Sequence, residues 1–418
     1  MQKLIIKGKK ILSGSINISG SKNATLPILA ATILTDKPIN LKNVPLVQDV
    51  YTMINLLKFF GLKVEVLKKK NTLNILNNKK LKTVAPYNLL KTMRAGVLVL
   101  GPLLAKYKKA RVSLPGGCAI GTRPVNLHLF ALEKLGAKIK IKNGYIHASA
   151  KNGLKGSVIK FPSISVGATE NAILAAVSAK GKTIMSNCAI EPEIQDMILF
   201  LKKSGCDINF IGKRKILING IKSFKNVTHE IIFDRIELGT YLIAAALVGK
   251  KIILNKIRPA IINTEIKLLK KMGVKMIIEK NKITVVDCKK INKINIKTEP
   301  YPGFPTDLQA QIMVLMSKAK GTSRVKENIF ENRFMHVSEL KRMGAKIKTK
   351  KNIATITGPT NLTGAEVMAT DLRASVSLVL AALVAENKTT INRVYHLDRG
   401  YEEIEKKLKK CKATINRV

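Results

Sequence analysis

The chain has 418 residues, 46% apolar and 5% aromatic, and a formal net charge of +47. That length exceeds one ordinary core and predicts two domains of roughly 200 residues with aliphatic interiors. Apolar runs such as 96–105 and 376–385 fall short of the ~20 residues that span a bilayer, and residues 1–8 carry no apolar signal core, so a cytoplasmic, membrane-free protein is expected.

Two kinds of helix alternate along the chain. One kind is predicted over 22–34, 91–105, 167–179, 234–248, 306–319 and 370–385. These segments are Ala-rich and apolar almost all round, with polar residues only at their first turns, which predicts helices buried inside each domain. The other kind is amphipathic and runs through a turn into a strand, at 56–66, 131–141, 200–210, 268–278, 340–350 and 408–418. Five copies place glycine at the helix end (Gly61, Gly136, Gly205, Gly273 and Gly344), and the sixth has Lys412. Glycine enters the left-handed region without a Cβ clash, so a left-handed C-cap is predicted. Short strands at 183–187, 251–255 and 389–393 follow buried helices. Six units of roughly 70 residues fill the chain. Three per domain would wrap three buried helices in sheets and outer helices, with the helix N-termini emerging on one face and two such faces opposed across a cleft.

The first turns of the buried helices carry Lys22, Asn23, Arg94, Ser165, Val166, Gly167, Asp234, Arg235, Asp307, Asp371 and Arg373. Capping accounts for the serine and the aspartates. It does not account for Lys22, Arg94 and Arg373, because a cation beside a positive helix end is unfavourable unless an anion sits there. An anionic ligand is therefore expected. The segment PGGCAIGTRPVNLH (115–128) sets Cys118 among Gly116, Gly117 and Gly121, close to Arg123. A thiol near cations acquires a lowered pKa and can donate a proton, and the glycines predict a lid. Thr122–Arg123 stands where a phosphate-binding P-loop needs Lys-Ser/Thr, so triphosphate hydrolysis is not expected. The five cysteines are scattered, and neither a disulfide framework, a metal site nor a cofactor is predicted. The lysines are dispersed with few aromatics beside them, which reads as solvated surface rather than a nucleic-acid footprint.

The segments SGSKNATLPIL (19–29), KTMRAG (91–96), PGGCAIGTRPV (115–125), SVGATE (165–170), FPTDLQAQ (304–311), FENRFMHV (330–337), ATDLRAS (369–375) and HLDRGYE (396–402), with the six repeats, resemble the UDP-N-acetylglucosamine 1-carboxyvinyltransferase family of enolpyruvyl transferases over the whole chain. The resemblance implies an α/β fold, a two-domain inside-out barrel of six βαβαββ repeats. It implies one domain over 22–232, with the Cys118 lid, and another over 1–21 and 233–418. The implied activity moves the enolpyruvyl group of phosphoenolpyruvate to the 3′-hydroxyl of UDP-N-acetylglucosamine in a monomer or weak oligomer.

Implied roles follow residue by residue. Lys22, Asn23, Arg123, Arg373 and Arg399 would hold phosphoenolpyruvate. Cys118 would protonate its methylene, and Asp307 would take the sugar proton as general base. Asn23, Arg94, Arg123, Pro124, Val125, Asn126, Leu127, Ser163, Ser165, Val166, Gly167, Asp307 and Ile329 would hold the UDP-sugar. Asp371 and Arg333 would support the site. Three positions depart from the family pattern: Ser163 in place of a basic residue, Asn126 in place of an acid, and Ile190 in place of Arg. They bear on affinity more than on chemistry. The alternatives are the sister enzyme acting on shikimate 3-phosphate, which does not call for a loop cysteine, a basic RNA-binding repeat protein, and an inactive homologue.

Overall fold

A computed structural model describes residues 2–77, 79–114, 116, 125–221, 223–288 and 290–418. The chain divides into two compact units, one built from residues between 20 and 232, the other from residues up to 19 and from 233 onward. The core of the first unit contains α1 (Lys22–Ala31), α2 (Leu100–Tyr107) and α3 (Val166–Ala176); that of the second contains α4 (Arg235–Val248), α5 (Gln309–Lys318) and α6 (Leu372–Val384). Every residue of α6 is buried, as Leu, Val and Ala on all sides dictate. Each fully buried aliphatic side chain contributes about 1.5–3 kcal/mol.

Among the described residues six four-stranded sheets surround these helices. In one, Val158–Lys160 pairs in parallel with Lys182–Ser186 across the crossover that holds α3, and Lys215–Asn219 and Asp207–Gly212 follow antiparallel. Alternation puts Met185, Ile208, Ile216 and Ile218 inside and Lys182, Asp207 and Asn209 toward water. The N-terminal strands belong to the second unit: Leu4–Lys7 pairs antiparallel with Lys388–Asn392 and Thr414–Arg417, and Leu12–Asn17 lies parallel to Gly249–Asn255.

The outer helices end alike in all six copies. Gly61, Gly136, Gly205, Gly273 and Gly344 have φ between 91° and 118°. The residue after each donates its N–H to the carbonyl of Leu57, Leu132, Leu201, Leu269 and Leu340, at 2.9–3.1 Å. Each such leucine is at most 2% exposed. This is a Schellman cap. Lys412 has the same left-handed backbone, φ 72°, and Ala413 donates to Leu408 at 3.1 Å. The sixth copy keeps the cap geometry and carries the Cβ strain that glycine avoids.

The helix predicted over 91–105 is broken. Residues Arg94–Val99 form 3-10 turns, and α2 starts only at Leu100. The side-chain amide of Asn171, from α3, inserts into the ladder: the Gly101 N–H donates to its Oδ1 at 2.7 Å, and its Nδ2 donates to the Val97 carbonyl at 3.2 Å. An i→i−4 pair is thereby bridged by a residue of another helix. Gly101 is required for that approach, since a Cβ there would stand 2.4 Å from Asn171 Oδ1.

Candidate active site

In the second unit the 3-10 turn Thr306–Leu308 leads into α5 and presents Asp307. Arg333 Nη2 donates to Asp307 Oδ1 and Arg373 Nη2 to Oδ2, both at 2.8 Å. Both guanidinium side chains are nearly buried, whereas the Asp307 side chain keeps 28% exposure. Two charge-assisted bonds fix the carboxylate plane. Arg373 owes its place to α6, whose N-cap Asp371 accepts from the Arg373 and Ala374 amides at 2.7 and 3.1 Å. Burial alone would lower the Arg373 pKa, but Asp307, Tyr401 and Asp234 together outweigh it and hold the guanidinium protonated. Behind the clamp lie Thr240 of α4, Gln311 of α5 and Tyr401, all buried. Sequence reasoning passed over these three, although Tyr401 and Gln311 sit within the family-like motifs.

In the first unit Lys22 opens α1, and its Nζ lies 3.1 Å from Asp49 Oδ2, both side chains nearly buried. Ser21 caps this helix and Ser165 caps α3, each accepting an amide at 3.3 Å. Arg94, half-buried, heads the 3-10 turns. His128 packs against Gly167, where a Cβ would come within 3.0 Å of the ring. Asn171 Nδ2 faces His128 Nδ1 at 3.1 Å. Because Asn171 Oδ1 is taken by the Gly101 N–H, the amide donates and Nδ1 accepts, leaving the imidazole proton on Nε2. Burial first, then Arg94, pushes the His128 pKa down to about 4, so the ring is neutral. Glu170 is pushed well above 4.5 by burial, then by Glu193 and Glu191.

The other sequence-predicted residues are distributed as follows. Arg399 and Ile329 in the second unit are half-buried, as are Asn23, Leu127, Ser165 and Gly167 in the first. Val125 is buried, and Asn126, Ser163 and Val166 are exposed. Cys118, Arg123 and Pro124 lie outside the described residues. Gly116, at the base of that loop, is pressed against the Lys91 carbonyl, 2.6 Å from where a Cβ would be. The electrostatic expectation needs correction at two positions: Asp49 supplies the anion beside Lys22 and Asp307 the anion beside Arg373. Those two helix starts do not by themselves demand a ligand. Among the described residues no group of three or more His, Cys, Asp and Glu could hold a metal, and no helix is long and apolar enough to cross a membrane.

The fold is that of an enolpyruvyl transferase. The structure of the enolpyruvyl transferase NikO from Streptomyces tendae superposes with a TM-score of 0.89 at 23% identity, covering 100% of this chain and 99% of that one. EPSP synthase from Acinetobacter baumannii does so at 0.78 and 17%, with 100% and 99% covered. The profile of the EPSP synthase (3-phosphoshikimate 1-carboxyvinyltransferase) family matches residues 6–408. Among sequences, the UDP-N-acetylglucosamine 1-carboxyvinyltransferase of Pelagibacter ubique is 60% identical over all of both chains. That of Endomicrobium trichonymphae is 51% identical over 99% of each. The chain belongs to the UDP-N-acetylglucosamine 1-carboxyvinyltransferase family.

Proposed function

We infer that this protein transfers the enolpyruvyl group of phosphoenolpyruvate to the 3′-hydroxyl of UDP-N-acetylglucosamine with release of phosphate, the first step of peptidoglycan synthesis, in the cytoplasm. The observation that carries this reading is the 60% identity over the full length of both chains. It is supported by the Asp307 clamp and the buried Lys22, placed at the core-helix starts of their units. The protein acts as a monomer or weak oligomer, and its lysines serve solubility rather than nucleic-acid binding.

Lys22, Asn23, Arg123, Arg373 and Arg399 bind phosphoenolpyruvate; charge-assisted bonds to its phosphate and carboxylate orient it. Residues 124–127, Arg94, Ser163, 165–167 and Ile329 bind the UDP-sugar. Asp307 accepts the 3′-hydroxyl proton as the sugar oxygen bonds to C2 of phosphoenolpyruvate, while Cys118 protonates C3. The Cys118 thiolate then takes a proton back from the new methyl group as the C2–O bond to phosphate breaks, which restores the double bond. The lid around Cys118 excludes water during these steps.

The test is phosphate release from phosphoenolpyruvate with each acceptor in turn. Release with UDP-N-acetylglucosamine, and none with shikimate 3-phosphate, is expected; the reverse would reassign the chain to the sister reaction. Cys118→Ala should abolish release, and the covalent adduct of fosfomycin, an epoxide that alkylates this family's loop thiol, should appear in the mass of the wild-type protein and be missing from the variant.

A further inference from the structure

The Gln311 amide lies near three acceptors, Thr240 Oγ1 at 3.3 Å among them, but the direction of the central Tyr401–Thr240 hydrogen bond behind the Asp307 clamp is fixed by its neighbours. Thr240 Oγ1 lies 2.8 Å from the Ile236 carbonyl, which can only accept, so the threonine proton is committed there. Thr240 Oγ1 is therefore the acceptor in its 2.8 Å contact with the Tyr401 hydroxyl, and Tyr401 is the donor. The lone pairs of the Tyr401 oxygen then face Arg373 Nη1 and Gln311 Nε2, each at 3.4 Å. The same guanidinium uses Nη2 to hold Asp307 Oδ2, and the same Gln311 amide holds the Asp307 backbone carbonyl at 2.9 Å. Tyr401 is 2% exposed, and its ring lies 5.8 Å from the Arg373 guanidinium carbon. Side chains from α4, α5 and α6 thus converge on one hydroxyl, and two of them reach on to Asp307.

We propose that Tyr401, anchored by Thr240, is a positioning residue for the transfer: its oxygen sets the rotation of Arg373 and, through it, the orientation of the Asp307 carboxylate. The proposal rests on the reading of Asp307 as the base. The hydroxyl touches no reacting atom. Its effect falls on the alignment of the base with the sugar hydroxyl, where a small misplacement slows the chemical step and leaves substrate binding largely intact. Burial raises the Tyr401 pKa, so the phenol stays protonated and its donor direction is constant across the working range.

Tyr401→Phe removes the hydroxyl and keeps the ring. It should lower kcat about 10-fold with both KM values within about two-fold of wild type. Thr240→Val should match it, Thr240→Ser should restore near-wild-type turnover, and the double variant Tyr401→Phe/Thr240→Val should be no slower than Tyr401→Phe alone. In an Asp307→Asn background, Tyr401→Phe should add no further loss. Unfolding midpoints measured on the same samples separate these effects from partial unfolding. A Tyr401→Phe enzyme within two-fold of wild-type kcat, beside an inactive Asp307→Asn, overturns the proposal and leaves the base assignment standing. A further drop caused by Tyr401→Phe in the Asp307→Asn background also overturns it, because the hydroxyl then acts by another route. Full activity of Asp307→Asn removes the base assignment itself.

Discussion

The ends of the outer helices and the starts of the core helices follow opposite rules. At the outer-helix ends the six copies agree: a buried leucine, a left-handed residue four positions on, and the same backbone bond at 2.9–3.1 Å. At the core-helix starts some caps recur in pairs, Ser21 with Ser165 and Asp234 with Asp371, but the side chains around them differ from copy to copy. Lys22 pairs with Asp49, Arg94 neighbours His128, Ser165 caps α3, Arg235 faces Glu265, Asp307 sits between two arginines, and Asp371 caps α6. One region repeats because every copy must solve the same backbone problem. On the proposed function the other diverged because each copy delivers a different group to the chemistry, which would put fold and function at opposite ends of the repeat.

Variants break or sharpen that contrast, beginning with the largest effect. Asp307→Asn should cut kcat by about 100-fold or more, the usual contribution of a general base, and leave the protein folded. Next is pH. The imidazoles of His128 and His336 are both pushed down to about 4, by burial first. A histidine whose folded pKa lies below its unfolded value of 6.5 contributes stability above that value and loses it as pH falls toward 4. Glu170 has the opposite sign: its raised folded pKa contributes stability at low pH that is lost as pH rises above 4.5. Thermal unfolding between pH 6.5 and 4.5 should therefore show a steeper acid-side loss in Glu170→Gln than in wild type. An unchanged slope would contradict the buried, protonated carboxyl.

Smaller effects are expected at the caps. Gly136 has φ 93°, and a Cβ at that position would meet nothing within 4 Å, so Gly136→Ala encounters backbone strain alone. It should destabilise by about 1 kcal/mol with kcat unchanged. Lys412→Gly relieves the same strain in the sixth copy and should stabilise by about 0.5–1 kcal/mol in denaturant titration.

The cap rule was legible in the sequence because all its parts lie within about six residues: leucine, glycine and the residue after it. The six-repeat architecture followed from it. What depended on distant residues was hidden. The break in the helix predicted over 91–105 comes from Asn171, about 70 residues further on, and the carboxylate beside Lys22 comes from Asp49 on the next helix. The sequence exposes a cation at a helix start but not the acid that the fold swings against it. For Tyr401 the motif was visible, yet its contact to Thr240 spans two repeats and depends on how α4 and α6 pack.

The separation of chemistry from scaffold is tested most directly by measuring turnover and unfolding free energy together on Asp307→Asn and Gly136→Ala. The expected result is a crossed pattern: Asp307→Asn loses its activity with little change in stability, and Gly136→Ala loses stability with full activity. Equal losses of both quantities in both variants would contradict the account.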